Sequence, residues 1–209
     1  MFRFIKKKDI YPLFESGYHQ KLGWNYSDIH LKTWQDMIAL NILELERNKC
    51  IGEIGGGDSR ILKILDSSNK LYNIEKFDGL GNGPKNRIKI KSVKNIDAYI
   101  GSKNEIPDQF FDIIFSISVI EHVAESNIID FFEDNLRVLK SGGKCFHLID
   151  HYISSENIEN SLSLSNKRRF ELYKNVLSNL PNVSFIDNEF ENFHFSSDMA
   201  TNPDQTMYG

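Results

Sequence analysis

The sequence predicts an α/β protein with a mostly parallel, doubly wound sheet, and three observations support this fold. A short apolar run at 50–54 ends in a cluster of glycines, as a buried strand does where it turns into a helix. A second apolar run, from Leu71, is closed by the carboxylate of Glu75. Further apolar runs alternate with segments of helical periodicity up to about residue 150, and this alternation is typical of parallel sheets covered by helices.

The predicted strands are short apolar runs bounded by charged or turn-forming residues. After strands at 50–54 and 71–75, further strands are predicted at 98–101, 112–117 and 144–149. Residues 77–84 contain three glycines and a proline, which disfavour a helix. We therefore expect a long loop there.

The predicted helices show apolar residues at helical spacing. One begins at Leu31, one covers 58–67, one covers 126–139 with Gly142 as its C-terminal cap, and one ends before Pro181. The side chains expected to face the core are those of Leu31, Trp34, Ile38, Ile42, Leu45, Ile61, Leu62, Leu65, Ile128, Phe132, Leu136, Leu139, Phe170, Tyr173, Leu177 and Leu180. Residues 1–27 are expected to be irregular and rich in aromatic side chains.

Length and composition indicate one ordinary globular domain. The chain has 209 residues, of which 40% are hydrophobic and 26% charged. A net charge of −4 gives no reason to expect nucleic-acid binding, which usually needs a basic surplus. No apolar run approaches the ~20 residues that span a bilayer. Cys50 and Cys145 both fall in predicted interior strands, and two buried thiols favour a cytoplasmic location.

The glycine cluster at 55–57 is compatible with three nucleotide-binding patterns, and two of them fail on particular residues. A phosphate-binding P-loop needs Lys-Ser or Lys-Thr after the glycines, and neither pair is present. A dinucleotide fingerprint needs a third glycine where Arg60 stands. The remaining pattern is an acid, Glu53, two residues before Gly-x-Gly, followed twenty residues later by a strand that ends in Glu75. This layout is typical of a nucleoside-binding βαβ unit.

Three later segments extend the pattern. Residues 107–116 read P-D-Q-F-F-D-I-I-F-S, residues 118–123 read S-V-I-E-H-V, and residues 136–143 read L-R-V-L-K-S-G-G. Together with the glycine turn, these ordered motifs resemble the class I S-adenosylmethionine-dependent methyltransferases over roughly residues 48–150. Ser141 departs from that family's usual proline in the last motif.

The resemblance implies a Rossmann-like sheet of seven strands with helices on both faces. Two antiparallel strands at 183–186 and 193–195 would complete that sheet. Residues 1–47 would form an N-terminal cap segment and helix. Residues 48–209 would form the methyltransferase core, and this core is not assumed to end at Gly209. The aromatic residues ahead of the first strand would then either line a pocket or pack the helix on the sheet.

The resemblance also implies which residues bind the cofactor, S-adenosylmethionine. Glu53, Gly55 and Gly57 would form the turn against its methionine part. Glu75 would hold both ribose hydroxyls, with Lys76 and Phe77 beside the adenine.

Three serines extend this predicted set. Ser102 stands where many relatives place an aspartate that binds the adenine amine, so the backbone or Asn104 is an alternative for that contact. Ser116 and Ser118 would lie beneath the amino-acid portion of the cofactor, or would simply bond to backbone at the strand end.

Histidines are the candidate catalytic residues, because their pKa lies near working pH. His122 follows the fourth strand and His151 follows the fifth, so both are expected at the rim where doubly wound sheets bind ligands. His147 lies within the fifth strand and is expected to pack or bond inside the fold.

A metal-dependent mechanism is a weaker alternative. Some relatives carry E-x-x-E-H at this place, and here Ser118 replaces the first acid, which leaves Glu121, His122 and His151 as possible ligands. No metal is included in the preferred interpretation.

The sequence therefore predicts a cytoplasmic methyltransferase that uses S-adenosylmethionine and acts on a small-molecule or sugar-containing acceptor, on oxygen in preference to nitrogen. Two rivals stay open: a module that kept the fold but lost turnover, and a nicotinamide-dependent oxidoreductase, which Arg60 and the S-V-I-E-H-V segment disfavour.

Overall fold

A computed structural model describes residues 5–25, 30–80, 83–87, 89–102, 104–150 and 161–180, with the backbone alone at 161–167. Its sheet has five strands: β1 (Cys50–Ile54), β2 (Lys70–Ile74), β3 (Val93–Ile96), β4 (Phe111–Ile117) and β5 (Leu139–Leu148). Five helices accompany them: α1 (Lys7–Glu15), α2 (Tyr18–Lys21), α3 (Leu31–Leu43), α4 (Ile128–Val138) and α5 (Ser161–Asn179). Two short 3-10 turns, Ile120–His122 and Glu125–Asn127, lie between β4 and α4.

The strand order is β3-β2-β1-β4-β5, and every neighbouring pair is parallel. The chain therefore winds outward from β1 in one direction and, after β4, in the other, which confirms the predicted doubly wound α/β fold. The two further strands predicted at 183–186 and 193–195 lie outside the described residues.

The described residues fall into two compact units. One is Ala39–Ile149, which contains the whole five-stranded sheet. The other consists of the described parts of Met1–Ile38 and Asp150–Gly209. Within this second unit, Asp150 accepts hydrogen bonds from Lys32 Nζ at 2.8 Å and Gln35 Nε2 at 2.6 Å.

The core of the sheet unit follows from the burial of β1 on both faces. All five residues of β1 are buried, as expected for a central strand of a parallel sheet. A Cβ at Gly52 would lie 2.8 Å from the ring of Phe111, so glycine lets this aromatic side chain pack directly on the strand.

The helix predicted at 58–67 is wrong, because the structure forms only turns there. The predicted inward residues Ile61, Leu62 and Leu65 are nevertheless buried. The apolar stretch is short and ends at Asp66. There the chain turns, and Asp66 accepts hydrogen bonds from the backbone N–H groups of Ser68 and Asn69.

The third strand was predicted too late in the sequence. It lies at Val93–Ile96, where it pairs with β2, while Ala98 and Ile100 are buried beyond the end of the strand. Ala98 and Ile100 are apolar because they are buried, although they do not pair with a neighbouring strand. Gly142, predicted as a helix cap, instead lies inside β5 with φ +75°, at an irregularity where β5 shifts register against β4.

Predicted helix faces are wrong in part. On α4, Ile128, Phe131, Phe132, Asn135 and Val138 are buried, whereas Leu136 is 42% exposed and Leu139 begins β5. On α3 the buried apolar residues are Met37, Ala39, Leu40 and Leu43, and Leu45 lies beyond the helix and exposed. The spacing of apolar residues located these two helices correctly, but it assigned some residues of an adjacent, more exposed face to the core.

The chain ahead of α3 is also more regular than predicted, because α1 and α2 form within residues expected to be irregular. Of the two cysteines, Cys50 is buried as predicted, but Cys145 is exposed, since β5 is the last strand of the described sheet. Within the described residues, no helix has the length and apolar character that crossing a membrane requires.

Two left-handed glycines allow a test of packing around the sheet. Gly101 has φ +87°, and a Cβ there would lie 2.7 Å from backbone atoms of Phe131. Gly142 has φ +75°, but nothing lies within 4 Å of a Cβ. We expect Gly101→Ala to lower the free energy of unfolding by about 3 kcal/mol, from backbone strain plus crowding, and Gly142→Ala by about 1 kcal/mol, from strain alone.

Urea denaturation of both variants measures this difference. Equal losses of stability in the two variants would contradict the packing of Gly101 against α4.

Candidate functional site

The carboxyl ends of β1, β2 and β4 meet at one edge of the sheet. β1 pairs with β2 on one side and with β4 on the other, so the winding direction changes between β1 and β4. In open α/β sheets this is the place where ligands bind. The glycine turn, Glu75 and the segment from Ser118 to His122 all follow these three strands directly.

The glycine turn after β1 needs glycine at two positions. Gly55 and Gly57 have φ +65° and +51°, which other residues rarely adopt. A Cβ at Gly55 would lie 2.6 Å from Cγ2 of Val119, so the chain after β4 packs directly against the turn. Gly55 N–H also donates to Ile74 O at 2.8 Å, which fixes the turn to the end of β2.

Buried polar side chains support the turn from below. Glu53 is 4% exposed, and its carboxylate accepts a hydrogen bond from the hydroxyl of Ser59. Asn73, fully buried on β2, donates through Nδ2 to Gly57 O at 2.8 Å. A Cβ at Gly56 would lie 2.8 Å from Asn73 Oδ1 and 2.9 Å from Glu53 Cδ.

Asn73 and Ser59 were not among the predicted site residues. A signal for Asn73 exists in the sequence, because it is a polar residue in the middle of the apolar run of β2. Buried polar groups need hydrogen-bond partners, so such a residue indicates a structural bond.

Glu75 lies at the end of β2 with its carboxylate only partly bound. Its Oε1 accepts hydrogen bonds from the backbone N–H groups of Lys76, at 3.0 Å, and Phe77, at 3.5 Å. No hydrogen bond joins Oε2 to another residue of the described chain. A Cβ at Gly83 would lie 3.5 Å from Oε1, so the loop after β2 folds back toward this acid. Burial raises the pKa of Glu75, and the two backbone hydrogen bonds oppose that shift.

Lys76 and Phe77, which follow Glu75, differ in their exposure to solvent. Lys76 is exposed, whereas Phe77 is buried with φ +59°, an uncommon backbone conformation for a bulky residue. Phe77 therefore supplies an apolar surface beside Glu75.

Ser102 and Asn104 follow β3, and both are bonded within the protein. Ser102 is exposed and its hydroxyl donates to Tyr99 O at 3.2 Å. Asn104 Nδ2 donates to Ser102 O and to Asp134 Oδ2, both at 2.8 Å, and its Oδ1 accepts from Arg137 at 3.0 Å. The amide of Asn104 is therefore engaged in holding this loop to α4.

Ser116 is fully buried, and its hydroxyl lies 2.8 Å from Nδ1 of His147 on the neighbouring strand. Nε2 of the same ring lies 3.2 Å from Sγ of Cys145. His147 thus bonds inside the fold, as predicted, between β4, β5 and the aromatic rings of Phe131 and Phe132. Exclusion of water from the ring lowers the pKa of His147 to about 4.

Ser118 and His122 lie on the rim after β4. Ser118 has φ +53°, and its N–H donates to Leu148 O at 2.8 Å, which closes the end of β4 on β5. His122 ends a 3-10 turn and is exposed, and no hydrogen bond or ion pair joins its ring to another described residue. Val119, three residues before His122, packs against Gly55 of the glycine turn.

His151, the second candidate catalytic residue, lies outside the described residues. Of the predicted pair, the structure therefore describes His122 alone. Among the residues that the structure describes, no group of three or more histidine, cysteine, aspartate or glutamate side chains is arranged to hold a metal ion.

Comparison with known proteins identifies the domain. Residues 53–147 match the model of a family described as a methyltransferase domain. These residues span the glycine turn, Glu75, the rim after β4 and most of β5. This match agrees with the class I S-adenosylmethionine-dependent methyltransferases that the sequence motifs resemble. The recognition made from the sequence motifs is thereby confirmed.

Solved methyltransferases resemble this domain at low identity. A geranyl diphosphate C-methyltransferase from Streptomyces coelicolor, in complex with Mg²⁺, geranyl diphosphate and S-adenosylhomocysteine, is 11% identical, with a TM-score of 0.50 over 73% of this chain and 61% of that one. Phosphoethanolamine N-methyltransferase 1 from Haemonchus contortus is 12% identical, with a TM-score of 0.47 over 76% of this chain and 36% of that one.

A methyltransferase from Aquifex aeolicus is 16% identical, with a TM-score of 0.45 over 68% of this chain and 78% of that one. The chain thus spans less than two thirds of the first two of these methyltransferases. No curated protein matches the sequence.

The lowered pKa of His147 predicts how the stability of the methyltransferase domain depends on pH. An unfolded histidine has a pKa of about 6.5, so between pH 6.5 and 4 the unfolded chain binds a proton that the folded chain excludes. The contribution of the neutral His147 ring to the free energy of unfolding is fully present above about pH 6.5 and is lost as the pH falls toward 4. We expect His147 alone to contribute a loss on the order of 3 kcal/mol.

Urea denaturation at several pH values, with wild type and His147→Gln, checks this expectation, because glutamine can bond to Ser116 without titrating. The profile of the variant should be flatter than that of wild type. Parallel profiles for wild type and His147→Gln would show that the ring is not excluded from water.

Proposed function

We propose that this chain transfers the methyl group of S-adenosylmethionine to an oxygen of a small-molecule or sugar-containing acceptor. The observation that carries the proposal is the partly bound carboxylate of Glu75 beside the left-handed glycine turn. One oxygen of Glu75 is held by backbone amides while the other has no partner in the described chain. A ribose diol presents two hydroxyl donors, which suit such an acceptor.

The other residues fit the same cofactor at the same edge. The backbone of Gly55 and Gly57 can approach a ligand closely because no side chain stands in the way, and the space above Gly57 is open, with Pro84 at 3.9 Å as the nearest atom to a Cβ. Phe77 offers an apolar surface for a base, with Lys76 beside it. Glu53 takes part indirectly, since it is buried under the turn. Ser116 is also buried, so the proposed contacting set excludes it.

S-adenosylmethionine supplies a methyl group already activated on a sulfonium, so the protein has little covalent work to do. It must hold the acceptor in line with that methyl group and exclude water, effects that can contribute several kcal/mol to lowering the barrier. The protein groups that matter for rate are then those that position the acceptor and take its proton.

His122 is the proposed general base. Its ring is exposed on the rim and unengaged in the described chain, and its segment packs against the glycine turn. A base with a pKa near neutrality can take the proton of an acceptor hydroxyl as the new C–O bond forms. This role is the reason for preferring oxygen as the acceptor atom. His151 remains proposed as a second rim histidine.

The cofactor assignment is tested by calorimetry with S-adenosylhomocysteine and with NADH. We expect saturable binding of the sulfur nucleoside alone. Glu75→Ala should weaken that binding at least tenfold, because it removes hydrogen bonds to a charged acceptor worth roughly 1.5–3 kcal/mol each. Glu133→Ala, which removes an exposed acid on α4, is the matched control and should bind normally.

Binding of NADH without binding of the sulfur nucleoside would favour the oxidoreductase instead. An unchanged affinity in Glu75→Ala would mean that the ribose is held elsewhere.

The proposed base is tested separately from cofactor binding. His122→Ala should leave the affinity for S-adenosylhomocysteine nearly unchanged while lowering the rate of methyl transfer ~10²–10⁴-fold with an accepted substrate. His30→Ala, at an exposed histidine elsewhere, should keep full activity. Full activity in the double variant His122→Ala, His151→Ala would exclude a base role for both.

A chelator distinguishes the metal alternative at Glu121, His122 and His151. If activity is lost with chelator and restored by added Mg²⁺ or Mn²⁺, the metal-dependent mechanism replaces the proposed general base. Cofactor binding without any transfer to a broad panel of acceptors would favour the non-catalytic module.

A further inference from the structure

The position of the base follows from the order of the strands. β2 lies between β1 and β3, so the carboxyl end of β2, with Glu75, has the glycine turn on one side and the residues after β3 on the other. A nucleoside with its ribose at Glu75 and its sulfur-bearing arm at the glycine turn must direct its base toward the β3 side. This step rests on the proposed function.

The β3 side presents a bonded pair made by Asp78 and Tyr99. Asp78 follows β2 in the loop after Phe77, and its carboxylate accepts hydrogen bonds from Leu80 N–H at 2.9 Å and from the Tyr99 hydroxyl at 2.6 Å. The side chain of Tyr99 is 43% exposed, so the pair reaches the solvent-accessible edge.

The phenol of Tyr99 is held in its protonated form. Partial burial, the hydrogen bond to Asp78 and the negative charges of Asp78 and Glu75 together raise the pKa of Tyr99 to about 12. The phenol therefore keeps its proton near neutral pH, and that proton is directed to Asp78. Asp78 and the phenol thus form one bonded pair.

The Asp78–Tyr99 pair offers hydrogen-bond acceptors and no free donor to a ligand. The only proton of the phenol is given to Asp78, so a ligand meets the lone pairs of its oxygen and those of the carboxylate. The hydroxyl of Ser102 is likewise directed to Tyr99 O, and the amide of Asn104 is bonded inside its loop. A base that presents an N–H₂ group is complementary to this surface, and a base that presents a carbonyl there is not.

We propose that the Asp78–Tyr99 pair recognises the 6-amino group of the cofactor's base, with the Tyr99 oxygen as acceptor and Asp78 as the residue that fixes its proton. The pair takes over the recognition that the sequence assigned to Ser102 or Asn104. It makes the site selective for adenosyl over inosyl cofactors, in which a carbonyl replaces the amine.

Calorimetry with S-adenosylhomocysteine and S-inosylhomocysteine tests this selectivity directly, without any methyl acceptor. Wild type should bind the adenosyl compound at least about tenfold more tightly, because the inosyl carbonyl would face an acceptor and leave both groups unpaired. Tyr99→Phe should bring the ratio of the two dissociation constants close to one, chiefly by weakening the adenosyl compound. Tyr72→Phe removes a hydroxyl of β2 beside Phe110 and should keep the wild-type ratio.

Asp78→Asn is the second variant. Its amide can donate to the Tyr99 oxygen, which occupies the lone pair and should reduce the same ratio without loss of the ring. This variant keeps the test decisive if Tyr99→Phe folds poorly, as judged by its melting temperature.

The outcomes separate the two proposals. Binding of neither compound by wild type would overturn the proposed function itself. Tight binding of S-adenosylhomocysteine with equal affinity for the inosyl compound would overturn the role of the pair and leave the proposed function intact. A wild-type preference that survives in both Tyr99→Phe and Asp78→Asn would do the same.

Discussion

The close contact between Gly55 and Val119 is the constraint on which the candidate site depends. Adjacent parallel strands deliver the turn after β1 and the segment after β4 to the same edge, with 2.6 Å between a Cβ at Gly55 and Val119 Cγ2. Only a residue without a side chain permits this approach, and only such a residue tolerates φ +65° without strain. The contact sets where the open backbone of the turn meets the rim that carries His122.

The buried polar groups beneath the turn make that geometry specific. Burying polar side chains is costly unless they are hydrogen-bonded, and Ser59 bonds to the carboxylate of Glu53 while the carbonyl of Gly57 accepts from Nδ2 of Asn73. Oδ1 of Asn73 has no hydrogen-bond partner among the described residues. A turn held from below by directional bonds has fewer alternatives than one held by apolar contacts alone. The turn is in addition tied to β2 through Ile74, so strands β1 and β2 cannot separate without breaking it.

The sequence predicted the fold and the edge well because strong local signals coincide there. Apolar runs ending in glycine or acid located β1, β2 and β4 within a residue or two, and the ordered motifs predicted the family. Predictions based on periodicity alone were weaker. The 58–67 segment has buried apolar residues but forms only turns, and Ala98 and Ile100 are buried without pairing in the sheet. Burial and secondary structure are separate consequences of apolar residues.

Side-chain pairing was beyond prediction from the sequence for a different reason. Asn73 and Gly57, or Asp78 and Tyr99, are distant in sequence and meet only after the strands have paired. Ser102 and Asn104 were reasonable candidates for contact with the base by position, yet the protein itself uses their polar groups. Whether a polar residue serves a ligand depends on which of its atoms remain unbonded after folding.

The two acids of the motif illustrate that rule. Glu53 and Glu75 are the same residue type, in or just after neighbouring strands, and the sequence treats both as cofactor residues. In β1, with every residue buried, the side chain of Glu53 turns under the glycine loop, where Ser59 and the packed atoms of Gly56 enclose it. Glu75 lies one residue past the end of β2, so its carboxylate leaves the sheet and keeps one oxygen unbonded in the described chain. A shift of two residues relative to the strand end therefore separates an acid that shapes the site from an acid that can bind in it.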